Sequence, residues 1–256
     1  MNRIQQLFTQ KKENILSVYF TAGFPKPNDT VPILESLQKY GVDMAEIGIP
    51  FSDPLADGPV IQNSSQIALK NGMNLKKLFS QLANIRASVH IPLVMMGYLN
   101  PIMQFGFENF CSECKKVGVD GMIIPDLPMD VYLSEYREIV EKNGLDFIFL
   151  ITPETSEERI RQIDEHTHGF IYMVSSAGVT GTQNSFDHHI DYFNRINSMH
   201  LKNPRLIGFG ISNKLTRETA SRYSSGVIIG SAFIKALQES SDVESAVKLL
   251  IKKLEE

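Results

Sequence analysis

Three carboxylates, Glu46, Asp53 and Asp57, lie close together in the stretch Asp43-Met44-Ala45-Glu46-Ile47-Gly48-Ile49-Pro50-Phe51-Ser52-Asp53-Pro54-Leu55-Ala56-Asp57-Gly58-Pro59-Val60. Residues 44–49 are apolar or small and predict a short buried strand. Glu46 stands in the middle of it with no basic neighbour in sequence. Burying an unpaired carboxylate is costly, so such a group raises its pKa and holds its proton. The loop that follows is stiffened by Pro50, Pro54 and Pro59, because proline fixes its own φ and restricts the residue before it. One carboxyl inside a strand and others on a stiff loop just past its end suit general acid–base chemistry. The competing reading is a helix-capping loop with surface acids.

A second group of residues has the chemistry of an anion cup. Glycine and small polar residues gather in Ser175-Ser176-Ala177-Gly178-Val179-Thr180-Gly181-Thr182, in Gly208-Phe209-Gly210-Ile211-Ser212, and in Gly230-Ser231-Ala232-Phe233, which opens a helix. Glycine lets backbone N–H groups approach an anion, and a helix N-terminus adds a favourable dipole. Lysine and arginine are absent from these loops, so backbone N–H groups are the expected ligands of a phosphate. Tyr19, Ile123, Tyr172 and Phe209 fall near predicted strand ends, where they suit a pocket for a flat apolar substrate, although core packing would use the same residues.

The elements that must position these groups alternate. Apolar strand-like runs at 16–22, 44–49, 93–97, 121–124, 147–151, 170–175, 205–208 and 227–230 are separated by amphipathic helical stretches at 30–39, 74–88, 108–117, 130–142, 156–165, 189–198 and 213–223, after an N-terminal helix at 3–11. Gly41-Val42-Asp43, Gly118-Val119-Asp120 and Gly144-Leu145-Asp146 each place a glycine where a helix should end. Eight nearly continuous apolar strands joined by helices imply parallel pairing with both faces covered. Repeated right-handed crossovers then close into a (β/α)8 TIM barrel, here with an extra N-terminal helix. An open doubly wound sheet is disfavoured, since the first strand ends Thr21-Ala22-Gly23-Phe24-Pro25 and carries no G-x-G-x-x-G. No linker or composition shift divides the chain, so residues 1–256 are expected to form a single catalytic barrel domain.

Composition excludes several classes. The 256 residues carry 25 basic and 29 acidic side chains with no basic patch, which gives nucleic-acid or anionic-membrane binding no support. The N-terminus lacks the apolar core of a signal peptide, and no apolar run approaches the roughly 20 residues needed to span a bilayer, so a cytoplasmic enzyme is expected. Cys111 and Cys114 form the one C-x-x-C; no second pair completes a zinc site, and their i, i+3 spacing on a helix predicts packing cysteines. No predicted strand core holds a lysine for a Schiff base. The six histidines avoid strand C-terminal ends, so a zinc-assisted aldolase has little support and no metal is expected.

With these motifs in view, the chain resembles the tryptophan synthase alpha subunit family over essentially its full length. The stretch Glu46-Ile47-Gly48-Ile49-Pro50-Phe51-Ser52-Asp53-Pro54-Leu55-Ala56-Asp57-Gly58-Pro59 looks like that family's signature, and the three glycine-bearing motifs follow in the family's order. The resemblance implies a (β/α)8 barrel that cleaves indole-3-glycerol phosphate to indole and glyceraldehyde 3-phosphate. It implies no cofactor in this chain, and a beta subunit carrying pyridoxal phosphate as partner in an alpha-beta-beta-alpha assembly. Carried over by position, it makes Glu46 and Asp57 the catalytic carboxylates and Tyr172 an active-site tyrosine near Glu46. Gly181, Gly210, Gly230 and Ser231 become phosphate-binding positions, Phe209 and Ile123 the indole wall, and Thr180 part of a loop that closes over the site. The partner interface falls on Pro50, Phe51 and Asp53, with Phe51 expected to be exposed on the stiff loop. Ser176 departs from the family pattern, where many members carry arginine.

The chemistry fits the residues independently of the resemblance. A retro-aldol cleavage of this kind needs no cofactor: Asp57 would stay ionised beside the indole N–H, and Glu46 would shuttle the proton between indole C3 and the glycerol hydroxyl. Two other readings stay open, a different phosphosugar-processing barrel enzyme and a non-catalytic subunit that activates a pyridoxal-phosphate enzyme.

Overall fold

The computed structural model describes residues 1–175, 189–208 and 210–256. Its sheet has nine parallel strands: β1 Ile15–Thr21, β2 Met44–Gly48, β3 Leu93–Met96, β4 Gly121–Ile123, β5 Asp146–Phe147, β6 Leu150–Ile151, β7 Ile171–Val174, β8 Arg205–Gly208 and β9 Gly226–Ile229. Their order is β5-β4-β3-β2-β1-β9-β8-β7-β6. The two ends of that order are halves of one barrel strand. Ile148 N–H donates to Met122 C=O on one side at 3.0 Å, and Phe149 C=O accepts Tyr172 N–H on the other at 2.9 Å. The sheet therefore closes into the eight-position barrel expected from the alternation, with the expected fifth strand broken at its centre.

The sequence periodicity places most helices within a residue or two. Helix Thr30–Lys39 matches its expected bounds, and Phe107–Val117 ends at Gly118, whose φ of +81° is the left-handed conformation that glycine adopts without strain. Two expected helices are interrupted. The 74–88 stretch splits into Leu75–Leu82 and a 3-10 turn at Ile85–Ala87, and the 130–142 stretch carries a π-helical turn at Tyr132–Tyr136. Helices Pro59–Lys70, Leu99–Phe105 and Val243–Glu255 were not expected. The first begins on a proline at N1, which suits a helix start but reads in sequence as the end of a proline-rich loop.

Side chains alternate across each strand, so the barrel has two apolar layers. One lies between strands and helices. The other fills the interior with Ile15, Met44, Val94, Ile123, Ile148, Phe170, Leu206 and Ile228, closed below by Ile4 and Phe8 of helix Arg3–Gln10. Burying each of these two side chains stabilises the fold by about 1.5–3 kcal/mol. The aspartates after the three helix-ending glycines add a polar clamp. Asp120 takes ion pairs from Arg3 at 3.0 Å and Arg86 at 2.7 Å, Asp43 pairs with Lys11, and Asp146 accepts from Gln5 at 3.0 Å. These aspartates fix the N-terminal helix against the barrel floor and leave the opposite end for chemistry. Cys111 and Cys114 are free and buried, and burial pushes the Cys111 thiol up to about 12. They pack, as their helical spacing predicts.

Candidate active site

Register on the first two strands builds the site. Tyr19 on β1 stands opposite Glu46 on β2, and Ser17 opposite Met44, so Ser17, Tyr19 and Glu46 point to one face. That face is the barrel interior. Glu46 is fully buried, and its Oε1 accepts a hydrogen bond from the Ser17 hydroxyl at 2.8 Å. Its Oε2 is buried with no hydrogen-bond partner among the described residues. Desolvation raises the Glu46 pKa to about 7, opposed by the Ser17 hydrogen bond. The carboxyl thus titrates near neutrality, as its place in an apolar strand predicts.

Two tyrosines frame it. Burial raises the pKa of Tyr172 well above its ordinary value, and the negative charges of Glu46 and Asp57 push it further in the same direction. Tyr19 is likewise raised, first by burial and then by Asp57. Both phenols are therefore neutral donors at physiological pH. Glycines make room for them. A Cβ on Gly48 would lie 2.2 Å from the Tyr19 hydroxyl, and one on Gly208 would lie 2.1 Å from the Tyr172 hydroxyl. Gly208, read in sequence as part of an anion cup, is needed at least as much to seat Tyr172.

Asp57 closes the constellation from the loop after β2. It is buried, only 9% exposed, and desolvation raises its pKa to about 6 against a hydrogen bond from Tyr98. The Tyr98 hydroxyl also accepts Ala56 N–H at 2.9 Å, and within the loop Asp57 N–H donates to Pro54 C=O at 3.0 Å. The loop acid is thus fixed from both sides and remains mostly ionised at neutral pH. Burial pushes both carboxyls up; Glu46 is completely enclosed inside the strand, whereas Asp57 keeps some exposure on the loop and a tyrosine donor, a setting that favours its ionised form.

At the other side of the mouth, helix Ser231–Glu239 starts at Gly230 with no side-chain cap, so its first N–H groups are open to an anion. Gly210 has a φ of +76°. No group of three or more histidine, cysteine, aspartate or glutamate side chains placed to hold a metal occurs among the described residues.

Comparison with known proteins decides what this arrangement belongs to. The family model described as tryptophan synthase alpha chain matches residues 5–256. The chain belongs to the tryptophan synthase alpha chain family. It is 59% identical to the tryptophan synthase alpha chain of Parabacteroides distasonis over 257 aligned positions, covering 100% of both chains. It is 60% identical to that of Flavobacterium psychrophilum over 241 positions, 94% of this chain and 95% of the relative. Among solved structures, the tryptophan synthase alpha chain of Legionella pneumophila superposes with a TM-score of 0.87 at 33% identity, covering 99% of this chain and 96% of that one. The family's activity is carbon–carbon lysis of indole-3-glycerol phosphate in tryptophan biosynthesis, exercised with a beta subunit.

Against the family signature, the structure brings Tyr19 and Tyr172 within electrostatic reach of each other and of both Glu46 and Asp57. Ile123 is fully buried in the interior layer. Thr180, Gly181 and Phe209, together with Ser176, lie outside the described residues. Two interface expectations for the loop need correction. Pro50, just after β2, is buried and forms no part of a docking face. Phe51 is not exposed: it is half-buried, its ring 5.3 Å from that of Tyr98, because an aromatic beside a barrel mouth gains more by stacking than by solvation. Asp53 does not cap the following helix, whose N-cap is Gly58 without a side-chain bond; its carboxylate instead accepts the Ser52 hydroxyl. Leu55, 88% exposed, is the apolar side chain that this loop presents to solvent. Sequence reasoning missed Ser17 and Tyr98. Ser17 was findable, since it lies two residues before Tyr19 on the same strand face. Tyr98 lies just past β3, and nothing in sequence ties it to the loop after β2.

Proposed function

We propose that this chain cleaves indole-3-glycerol phosphate with Glu46 as the proton shuttle and Asp57 as the anion that stabilises the indole N–H. The observation that carries the reading is the pair of buried carboxyls, Glu46 on β2 and Asp57 on the loop that follows it, both raised by desolvation and both interacting with Tyr19 and Tyr172. Protonated Glu46 gives its proton to indole C3, forming an indoleninium whose N–H charge Asp57 neutralises. The bond between C3 and the hydroxyl-bearing carbon then breaks, its electron pair restoring the aromatic ring. The hydroxyl proton returns to Glu46 as the aldehyde forms, so the carboxyl ends as it began. Tyr172 and Tyr19, neutral and buried, orient the substrate beside Glu46.

The phosphate is held by backbone N–H groups at the Gly230-Ser231 helix start together with Gly210 and Gly181, and the indole lies against Ile123 and Phe209, with Thr180 in the covering loop. The beta subunit, bearing pyridoxal phosphate, docks on the face formed by Phe51, Asp53 and the exposed Leu55 in an alpha-beta-beta-alpha assembly. Leu55 on a proline-stiffened loop supports this, because little conformational entropy is lost when it docks. No helix among the described residues is long and apolar enough to cross a membrane, and we place the enzyme in the cytoplasm. Turnover of the purified chain with indole-3-glycerol phosphate, with and without the beta subunit, tests the reading. Cleavage accelerated by the partner is expected, and absence of cleavage under both conditions would leave the two alternatives, an activating subunit or a different phosphosugar-processing barrel enzyme.

A further inference from the structure

Glu46 has two oxygens in different circumstances. Oε1 accepts the Ser17 hydroxyl at 2.8 Å, and Ser17 is itself completely buried on the neighbouring strand. Oε2 is buried and has no hydrogen-bond partner among the described residues. A carboxyl that gives a proton to one substrate atom and takes one from another gains from being held in one orientation within hydrogen-bond reach of both.

We propose that Ser17 is a positioning residue for the cleavage: its hydroxyl engages Oε1 of Glu46 and so makes Oε2 the single oxygen that exchanges protons with substrate. The inference rests on the proposed shuttle role of Glu46 and goes beyond it by assigning the oxygen and the residue that selects it. With Ser17 donating to Oε1, the acidic proton resides on Oε2. Oε2–H gives that proton to indole C3, and the resulting carboxylate keeps its Ser17 bond on Oε1. After the carbon–carbon bond breaks toward the ring, the substrate hydroxyl returns its proton to Oε2. Ser17 never ionises and transfers nothing; it holds the carboxyl plane through both half-steps.

The same bond stabilises the ionised form of Glu46 and opposes the upward push of burial. The other ionisable groups that interact with Glu46 are Tyr19 on the neighbouring strand and Tyr172 on β7, and both are held neutral by burial. Asp57, whose charge acts on the same two tyrosines, is the other carboxyl that titrates in this range, and Glu46→Gln separates the two midpoints. Both deletion of the hydroxyl and its conservative replacement are informative, because Ser17 has no apolar bulk whose loss would leave a large cavity.

The test uses Ser17→Ala and Ser17→Thr in the full chain with its beta subunit. The rate of indole-3-glycerol phosphate cleavage is followed against pH, and the Glu46 carboxyl is titrated by 13C NMR of glutamate-labelled protein, assigned with Glu46→Gln. In Ser17→Ala the NMR midpoint and the basic limb of kcat/KM should rise together by about one pH unit. At neutral pH kcat should fall about tenfold with KM within about twofold of wild type. Ser17→Thr, which keeps the hydroxyl, should restore both; if Ser17→Ala does not fold, Ser17→Cys, whose thiol is a weak donor, takes its place with the same expected shifts. An unmoved NMR midpoint in a folded variant overturns the inference and leaves the catalytic role of Glu46 intact. A moved midpoint with an unmoved rate profile would show that Glu46 is not the acid, and the inference falls with that role.

Discussion

Phe51 and Tyr98 stack with ring centroids 5.3 Å apart and planes inclined by 33°, which ties the loop after β2 to the end of β3. The Tyr98 hydroxyl then reaches both the Ala56 N–H and the Asp57 carboxylate. A residue of the proposed docking face is thereby one contact from a residue that touches the proposed catalytic anion. Partner binding can bias Asp57 through this contact by shifting the population of loop arrangements, with no new chemistry.

Tyr98→Phe keeps the stack and removes the hydroxyl. The bond to Tyr98 lowers the Asp57 pKa against desolvation, so its loss should raise that pKa above about 6. Asp57 must be ionised to act, so the acidic limb of kcat/KM should move to higher pH, by about half to one unit. The pH profile of the complex measures this. An acidic limb that stays in place would detach Tyr98 from Asp57.

Burial of Glu46 has a stability cost whose sign is fixed. The folded-state pKa is raised from 4.5 to about 7, so the folded protein holds a proton that the unfolded chain has already lost. Stability therefore falls as pH rises from about 4.5 to about 7 and levels off above. Glu46→Gln removes the ionisation and should be more stable than wild type at pH 8 by up to about 3 kcal/mol, with the difference fading toward pH 4. Urea denaturation at the two pH values reads it, and equal stabilities at pH 8 would show that the carboxyl is not desolvated as described.

The barrel was legible in sequence because parallel strands buried on both faces leave continuous apolar runs, and because glycines such as Gly118 mark helix ends by a conformation few other residues adopt. Glu46 was legible as an acid in an apolar strand. What escaped notice depends on contacts between distant parts of the chain. Asp120 looks like a turn residue until Arg3 and Arg86 are folded against it, and Gly208 looks like a phosphate loop until Tyr172 is seen filling its missing Cβ. Phe51 looked exposed because its stacking partner lies on the next strand.

Gly230 offers the cleaner test of the phosphate site. An added Cβ there would meet Tyr19 at 3.4 Å, an ordinary contact, whereas the positive φ of Gly210 would strain any substitution. Gly230→Ala should raise KM for the phosphorylated substrate about tenfold by crowding one N–H ligand, with melting temperature little changed. Steady-state kinetics and a thermal melt decide; an unchanged KM would move the phosphate elsewhere.

Asp53 lies on the proposed docking face, and the following helix starts at Gly58 without a side-chain cap. Asp53→Ala is expected to lose the partner-induced rise in cleavage while retaining the basal rate of the isolated chain. Titrating beta subunit into wild type and variant, with affinity and cleavage read in the same samples, tests this. Unchanged affinity and an unchanged activation ratio would remove Asp53 from the coupling.

The central claim is that Glu46 and Asp57 perform the cleavage, and the most direct measurement is steady-state turnover of indole-3-glycerol phosphate by Glu46→Gln and Asp57→Asn, each saturated with beta subunit and checked for native folding by circular dichroism. Both variants should lose on the order of 10²–10⁴ in kcat while still binding the partner. Near-wild-type turnover by either folded variant would contradict the mechanism at that residue.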